Sequence, residues 1–161
     1  MIGVESDVSA EWDARIDWPA LARSAVHAAL AMSRHAALDD SEVSVKFTSD
    51  EEVRALNAAW RGKDKATNVL SFPMAAEADL AAAQLLGDVV LAHGVCASEA
   101  AARDVTIETH AAHLVVHGTL HLLGYDHETS DAEAQEMEDV ERRALASIGI
   151  SDPYHVTEVQ L

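Results

Sequence analysis

The sequence is poor in several features that would point to particular classes of protein. Cys96 is its only cysteine, so the chain can form neither an internal disulfide nor a metal site closed by several thiolates. No apolar run approaches the ~20 residues that a membrane helix requires, and the N-terminus lacks a basic stretch followed by an apolar one. We therefore expect a cytoplasmic protein that is neither membrane-bound nor exported.

Basic residues are also scarce, with 11 Lys and Arg against 28 Asp and Glu and a formal net charge of -17. Broad, nonspecific binding to nucleic acid draws its affinity from Lys and Arg, so this balance argues against it, and we expect no DNA partner. Arg61, Lys63 and Lys65 nevertheless fall within five residues and leave room for a local basic groove. The acidic run at residues 128–141 is predicted to be a solvated helix face.

Length and periodicity predict one α+β domain, residues 1–161, in which a small mixed β-sheet packs with about five helices. The alternation of Val43, Val45 and Phe47 with polar residues is typical of a half-buried strand. Ser49 with Glu52 forms a capping box that predicts the start of a helix. The alanine-rich segment 75–85 fits either a short helix or a mobile loop. The remaining strands are predicted near residues 2–7, 67–72 and 87–92, and the remaining helices near 18–37, 94–103, 106–123 and 130–149.

Three histidines, His117, His121 and His127, stand close together in a chain that has 9. Residues four apart on an α-helix share a face, so His117 and His121 can direct their imidazoles at one point. Gly124 can adopt the left-handed conformation that ends a helix and turns the chain back, which would return His127 toward the first two rings. Three nitrogen ligands with an open position are typical of catalytic zinc, so the spacing predicts one Zn²⁺ per chain.

A competing interpretation is that these histidines line an apolar helix and hydrogen-bond to backbone groups in the core. That interpretation suits a single histidine better than three at ligand spacing with a glycine before the third. His113 falls on the same helix face and is predicted to pack or to support the ligands. Ligands from three consecutive turns of a straight helix could not all reach one ion.

Three blocks of the sequence resemble the YbeY family of bacterial endoribonucleases, which mature ribosomal RNA. The first block is the order His-Gly-x-Leu-His-Leu-x-Gly-Tyr-Asp-His over residues 117–127. The second is Leu-Asn-x-x-Trp-Arg-x-Lys-Asp-x-x-Thr-x-Val-Leu-Ser-Phe over residues 56–72, and the third is Leu-Gly-Asp-Val over residues 86–89. The resemblance implies a zincin-like fold, a zinc ion held by the three histidines, and a functional role for Arg61. It also implies single-strand-specific cleavage in ribosomal RNA end maturation and ribosome quality control, on ribosomal particles and with possible ribosome-associated protein partners.

Elementary chemistry gives several residues roles in such a site, each with a plainer alternative. Arg61 could grip two phosphate oxygens, or it could simply offset the dipole at a helix end. Lys63 is a weaker candidate for phosphate binding and could serve solubility alone. Asp126 and Asp88 could each orient a ligand histidine, although an aspartate beside a turn is more often a cap.

Two other functions compete with the nuclease hypothesis. The histidine spacing matches that of zinc peptidases with the motif His-Glu-x-x-His-x-x-Gly-x-x-His, but Gly118 replaces the glutamate that acts as their general base. We therefore expect no peptidase activity. The other rival is a non-catalytic ribosome-assembly factor in which zinc only fixes the fold, a role that a fourth protein ligand would favour.

Overall fold

A four-stranded mixed β-sheet forms the centre of the molecule in the computed structural model, which describes residues 1–153. Its strands are β1 (Gly3–Val8), β2 (Glu42–Thr48), β3 (Val69–Pro73) and β4 (Leu85–Ala92). The helices are α1 (Trp18–Met32), α2 (Asp50–Arg61), α3 (His93–Ala102), α4 (Ile107–Leu122) and α5 (Asp131–Ser147), with a short 3₁₀-helix at Glu77–Ala82. The predicted α+β class is thereby confirmed.

The strands lie in the order β1-β2-β4-β3. The first three run parallel, and β3 pairs antiparallel with β4 in the register Leu70 to Val90 and Ser71 to Val89. The sheet is therefore mixed, as predicted, and β3 forms one of its two edges.

The two faces of the sheet are covered by different helices. Val89 and Leu91 of β4 belong to the main core with residues of α1, α4 and α5. Val90 and Ala92 point to the opposite face, where Val53 of α2 completes a smaller apolar cluster. Each face thus receives alternate residues of the same strand, which is the pattern expected of a central strand with both faces covered.

Most predicted elements are present, with shifts at their ends. Ser49 caps α2 through a hydrogen bond from the Glu52 amide, as the capping box indicates. Helix α1 ends at Met32, because Ser33 adopts an extended conformation and its hydroxyl donates to the Leu30 carbonyl, so the predicted extension toward residue 37 is wrong. The ambiguous segment 75–85 contains the 3₁₀ turn, anchored by the buried side chain of Leu80.

Within the described residues, every helix is too short or too polar to cross a lipid bilayer.

Candidate metal centre

Helix α4 carries the first two histidines of the predicted ligand set. Thr106 caps its start by accepting from the Thr109 amide, and most of the helix is buried between the sheet and the other helices. His117 and His121 remain partly exposed at its C-terminal end, with ring centroids 4.7 Å apart. The four-residue spacing therefore places both imidazoles side by side, as predicted.

The chain turns back directly after α4. Gly124 has a φ of +96°, and the amide of Tyr125 donates to the Leu120 carbonyl, which closes the turn. Tyr125 is buried, and its hydroxyl accepts from the Arg34 amide at 2.9 Å, so the turn is anchored to the segment that follows α1. The ring of His127 consequently lies 5.4 Å from that of His117 and 5.1 Å from that of His121.

One potential ligand atom from each of the three histidines lies within 4.8 Å of the other two. In residues 1–153, no other group of three or more histidine, cysteine or acidic side chains is so arranged, and no fourth side chain joins this one. The structure thus brings together the three residues that the spacing predicts and leaves the set open on one side.

The hydrogen bonds of the outer ring nitrogens determine which nitrogens face the centre. Nδ1 of His121 lies 3.0 Å from the Tyr125 carbonyl oxygen, which can only accept, so this nitrogen carries the proton. Nδ1 of His117 lies 2.8 Å from Oε1 of Glu141 and likewise donates. In the neutral rings both Nε2 atoms then present lone pairs to each other at 3.1 Å. Two lone pairs at that distance repel, and a cation between them removes the repulsion, so the donor set fits a metal ion.

The environment also keeps His121 in the form that a metal requires. Burial, reinforced by the neighbouring rings of His117 and His127, lowers the pKa of His121 to about 4. The imidazole is therefore uncharged at neutral pH, and its Nε2 lone pair is available for coordination.

Glu141 of α5 supports the centre from behind. Its carboxylate accepts from Nδ1 of His117 at 2.8 Å and bonds Nε2 of His113 at 3.0 Å, and only 1% of the residue is exposed. Burial opposes ionisation, but the hydrogen bonds from the two histidines outweigh it and lower the pKa of Glu141 to about 2. Glu141 is therefore an ionised carboxylate, and hydrogen bonds to His113 and His117 of α4 hold it in place.

Glu141 corrects the prediction made for the acidic run. It belongs to the acidic run that we predicted to be a solvated face, yet it is buried while most of the other acidic side chains of the run are exposed. A signal was present, because Glu141 stands four residues after Met137 and three before Ala144, within the apolar stripe of α5. Glu141, which we did not predict as a site residue, is the carboxylate that hydrogen-bonds to the ring of His117.

Asp88 and Asp126 are placed differently from each other. Asp88 lies on the face of β4 opposite to its neighbour Val89, which packs on α4, so its side chain lines a different cleft from that of the three histidines. Asp126 does line the centre, and its Oδ1 accepts from the Glu128 amide at 2.8 Å, as a turn cap does.

A cleft of about 640 Å³ opens over the three histidines. Arg61, the last residue of α2, lines this cleft together with Thr67, Asn68 and Ser71 from the segment that enters β3. Lys63 is exposed and is not among the lining residues. The structure thus places Arg61 in the same cleft as the metal ligands, whereas Lys63 lies outside its lining.

Known proteins resemble this chain over almost its whole length. A family model described as Endoribonuclease YbeY matches residues 8–149. A protein named Endoribonuclease YbeY from Novosphingobium aromaticivorans is 52% identical, with 96% of this chain and 97% of that protein covered. A protein of the same name from Rhizorhabdus wittichii is 50% identical, with coverages of 98% and 99%. The solution structure of TM1509 from Thermotoga maritima has a TM-score of 0.56 at 23% identity over 91% of each chain, a likeness of fold.

Proposed function

This chain belongs to the YbeY family of endoribonucleases, and we propose that it cleaves single-stranded RNA with the help of one zinc ion during the maturation of ribosomal RNA ends and in ribosome quality control. Its membership makes it a hydrolytic nuclease. The observation that supports metal dependence best is the convergence of His117, His121 and His127, with two Nε2 atoms 3.1 Å apart.

Zinc suits this donor set because three imidazole nitrogens with an open position are the ligands of many catalytic zinc sites. Zinc bound in this way lowers the pKa of water toward ~7 and polarises a phosphoryl oxygen. The protein contributes the orientation of its ligands. Glu141 fixes the ring of His117, and the Tyr125 carbonyl fixes that of His121, so both Nε2 lone pairs are aimed before the ion arrives.

Arg61 brings a positive charge into the cleft of an otherwise acidic molecule. Its guanidinium lines the cleft of the three histidines and can bind two phosphate oxygens at once. In that position it would hold the scissile phosphate and stabilise the charge that builds on it during hydrolysis. Lys63 would act further out, by attracting the RNA backbone to the cleft.

Both the sequence of α4 and its close packing on the sheet argue against the peptidase alternative. A side chain at position 118 would begin 2.7 Å from Cγ1 of Val89 and 3.0 Å from Oγ of Ser71, because the helix packs tightly on the sheet there. A glutamate has no room at that position, and glycine cannot accept a proton. The alternative of a non-catalytic assembly factor loses support because no fourth ligand lies among residues 1–153.

The test is cleavage of single-stranded RNA by the zinc-loaded chain, with metal content measured in the same samples. We expect activity to disappear on chelation, to return with zinc, and to be lost in His117→Ala together with the bound metal. We expect Arg61→Ala to retain zinc but to lose about a hundredfold or more in kcat. Arg15→Ala is the matched control, because Arg15 is exposed and pairs only with Asp13 among the ion pairs described.

Two results would refute the proposal. Equal cleavage by wild type and His117→Ala would assign the activity to another site or to contamination. Chelator-sensitive cleavage of an unstructured protein would favour the peptidase.

We further propose that the substrate is ribosomal RNA within ribosomal particles in the cytoplasm. Residues 1–161 would act on it as one domain, together with ribosome-associated proteins. DNA is not expected as a substrate. A matched pair of oligonucleotides, one ribose and one deoxyribose, tests this distinction, since only the ribose strand should be cut.

A further inference from the structure

A second cleft of about 600 Å³ lies on the other face of the sheet from the metal centre. Trp60 of α2 and Met74, just after β3, form its outer wall, with 73% and 56% of each residue exposed. Phe72 and Leu56 lie deeper and belong to the smaller apolar cluster under α2. Polar side chains of Ser44, Lys46 and Asp88 complete the lining. The cleft thus combines an open aromatic wall with hydrogen-bonding groups.

The exposure of its apolar residues sets this cleft apart. Among residues 1–153, four large hydrophobic side chains are exposed, namely Met1, Trp60, Met74 and Val105. Met1 and Val105 do not line this cleft, whereas Trp60 and Met74 both do. An indole left open to water beside a thioether indicates a surface that a flat apolar group can cover.

The second cleft adjoins the metal centre across the edge strand β3. Ser71 and Pro73 of the edge strand β3 line both clefts, which lie on opposite sides of the strand. The two wall residues Arg61 and Trp60 are neighbours at the end of α2, and each belongs to a different cleft. No strand within residues 1–153 pairs with the outer edge of β3. A chain lying across that edge would pass from the metal centre to Trp60.

We propose that this cleft is a base-binding subsite in which a nucleobase flanking the scissile phosphate stacks on the indole of Trp60, against Met74. The proposal rests on the proposed nuclease function and names how that same site holds its substrate. Stacking on aromatic side chains accepts any base and requires that the base be unpaired.

Stacking also suits the charge of the molecule. A protein with a net charge of -17 gains little from phosphate neutralisation, so contacts to the bases are a source of affinity that its own charge does not oppose. Ser44, Lys46 and Asp88 lie where they can meet the edge of a stacked base. Lys46 is paired with Glu52 at 2.8 Å and Asp88 is acidic, so the polar lining of the cleft is not a cluster of free cations.

The experiment uses the zinc-loaded full-length chain and a single-stranded RNA oligonucleotide, with a series of oligonucleotides that each lack one base. We expect wild type to show a KM raised about ten- to a hundredfold when one particular base near the cleavage site is missing. We expect Trp60→Ala to have a KM raised by the same factor on the complete strand and to be insensitive to the missing base. Trp60→Phe should retain most of the wild-type sensitivity to the missing base, because phenylalanine can also stack. Val105→Ala, which changes an exposed apolar residue elsewhere, should match wild type.

Four outcomes would overturn the inference. If wild type cleaves the strand but every missing base is tolerated equally, no base subsite exists, although the nuclease function stands. If Trp60→Ala retains the sensitivity of wild type, the subsite lies elsewhere. Concentration-dependent self-association of wild type that Trp60→Ala abolishes would assign the cleft to a second copy of the chain. If wild type does not cleave RNA at all, the proposed function fails and this inference fails with it.

Discussion

At the residue scale, the buried carboxylate of Glu141 has the clearest consequence for metal binding. It accepts a hydrogen bond from Nδ1 of His117 and thereby holds this ring with its Nε2 directed at the ring of His121. We expect Glu141→Gln to weaken zinc affinity by about 10- to 100-fold, because a neutral amide of the same shape orients the ring less firmly and offers no negative charge. Chelator competition measures this change directly.

Glu138→Gln is the matched control for that variant. Glu138 lies on the same helix, but it is more exposed, and its described ion pair is with Arg142 at 3.8 Å. We expect its zinc affinity to equal that of wild type, since pairs at the surface contribute little. An unchanged zinc affinity in Glu141→Gln, with a melting temperature as high as that of wild type, would show that the carboxylate has no part in holding the ligand.

At the element scale, the contact between α4 and β4 sets the position of the ligand-bearing helix. Gly118 lies against Val89, and a methyl group at position 118 would come within 2.7 Å of its Cγ1 atom. We expect Gly118→Ala to destabilise the protein by about 1–3 kcal/mol through overpacking, despite the ~1 kcal/mol by which alanine favours a helix over glycine. Urea unfolding of the chelated protein measures the change.

The double variant Gly118→Ala with Val89→Ala makes this expectation specific. Removing the γ-methyl groups of Val89 takes away the tightest contact of the new methyl group and leaves the one with Oγ of Ser71 at 3.0 Å. Gly118→Ala should therefore destabilise Val89→Ala much less than it destabilises wild type, a coupling of about 0.5–3 kcal/mol. Strictly additive free energies of unfolding would mean that α4 does not press on the sheet at this point.

The elements also explain which features the sequence could predict. His117, His121 and Gly124 depend on local geometry, namely helical periodicity and a left-handed turn, so their spacing was sufficient to predict where they lie. Glu141 and Asp88 depend on tertiary packing, since the docking of α5 and the face of β4 decide what each carboxylate contacts. The early end of α1 involves both kinds of contact, because Ser33 closes the helix locally and the next amide, that of Arg34, donates to the Tyr125 hydroxyl 91 residues further along the chain.

At the scale of the whole molecule, a large negative charge surrounds a small basic region near the cleft. Arg61, Lys63 and Lys65 are exposed, and Arg54, on the same helix as Arg61, is paired with Asp64 at 2.8 Å. The molecule must therefore hold an RNA backbone with few cations while the rest of its surface repels it. Affinity for RNA should accordingly depend only moderately on salt.

The number of counterions released on binding sets how steeply the affinity for RNA falls with salt concentration. Each phosphate neutralised on a single strand contributes a slope of about -0.7 to the plot of log affinity against log salt concentration, so three cations give a slope near -2. We expect fluorescence anisotropy with the chelated full-length chain to give this value, and Lys65→Ala to reduce it by about 0.7, while Arg15→Ala leaves it unchanged. A slope near -5 or steeper would require more phosphate contacts than these three cations supply, and a slope near zero would exclude all three from the bound strand.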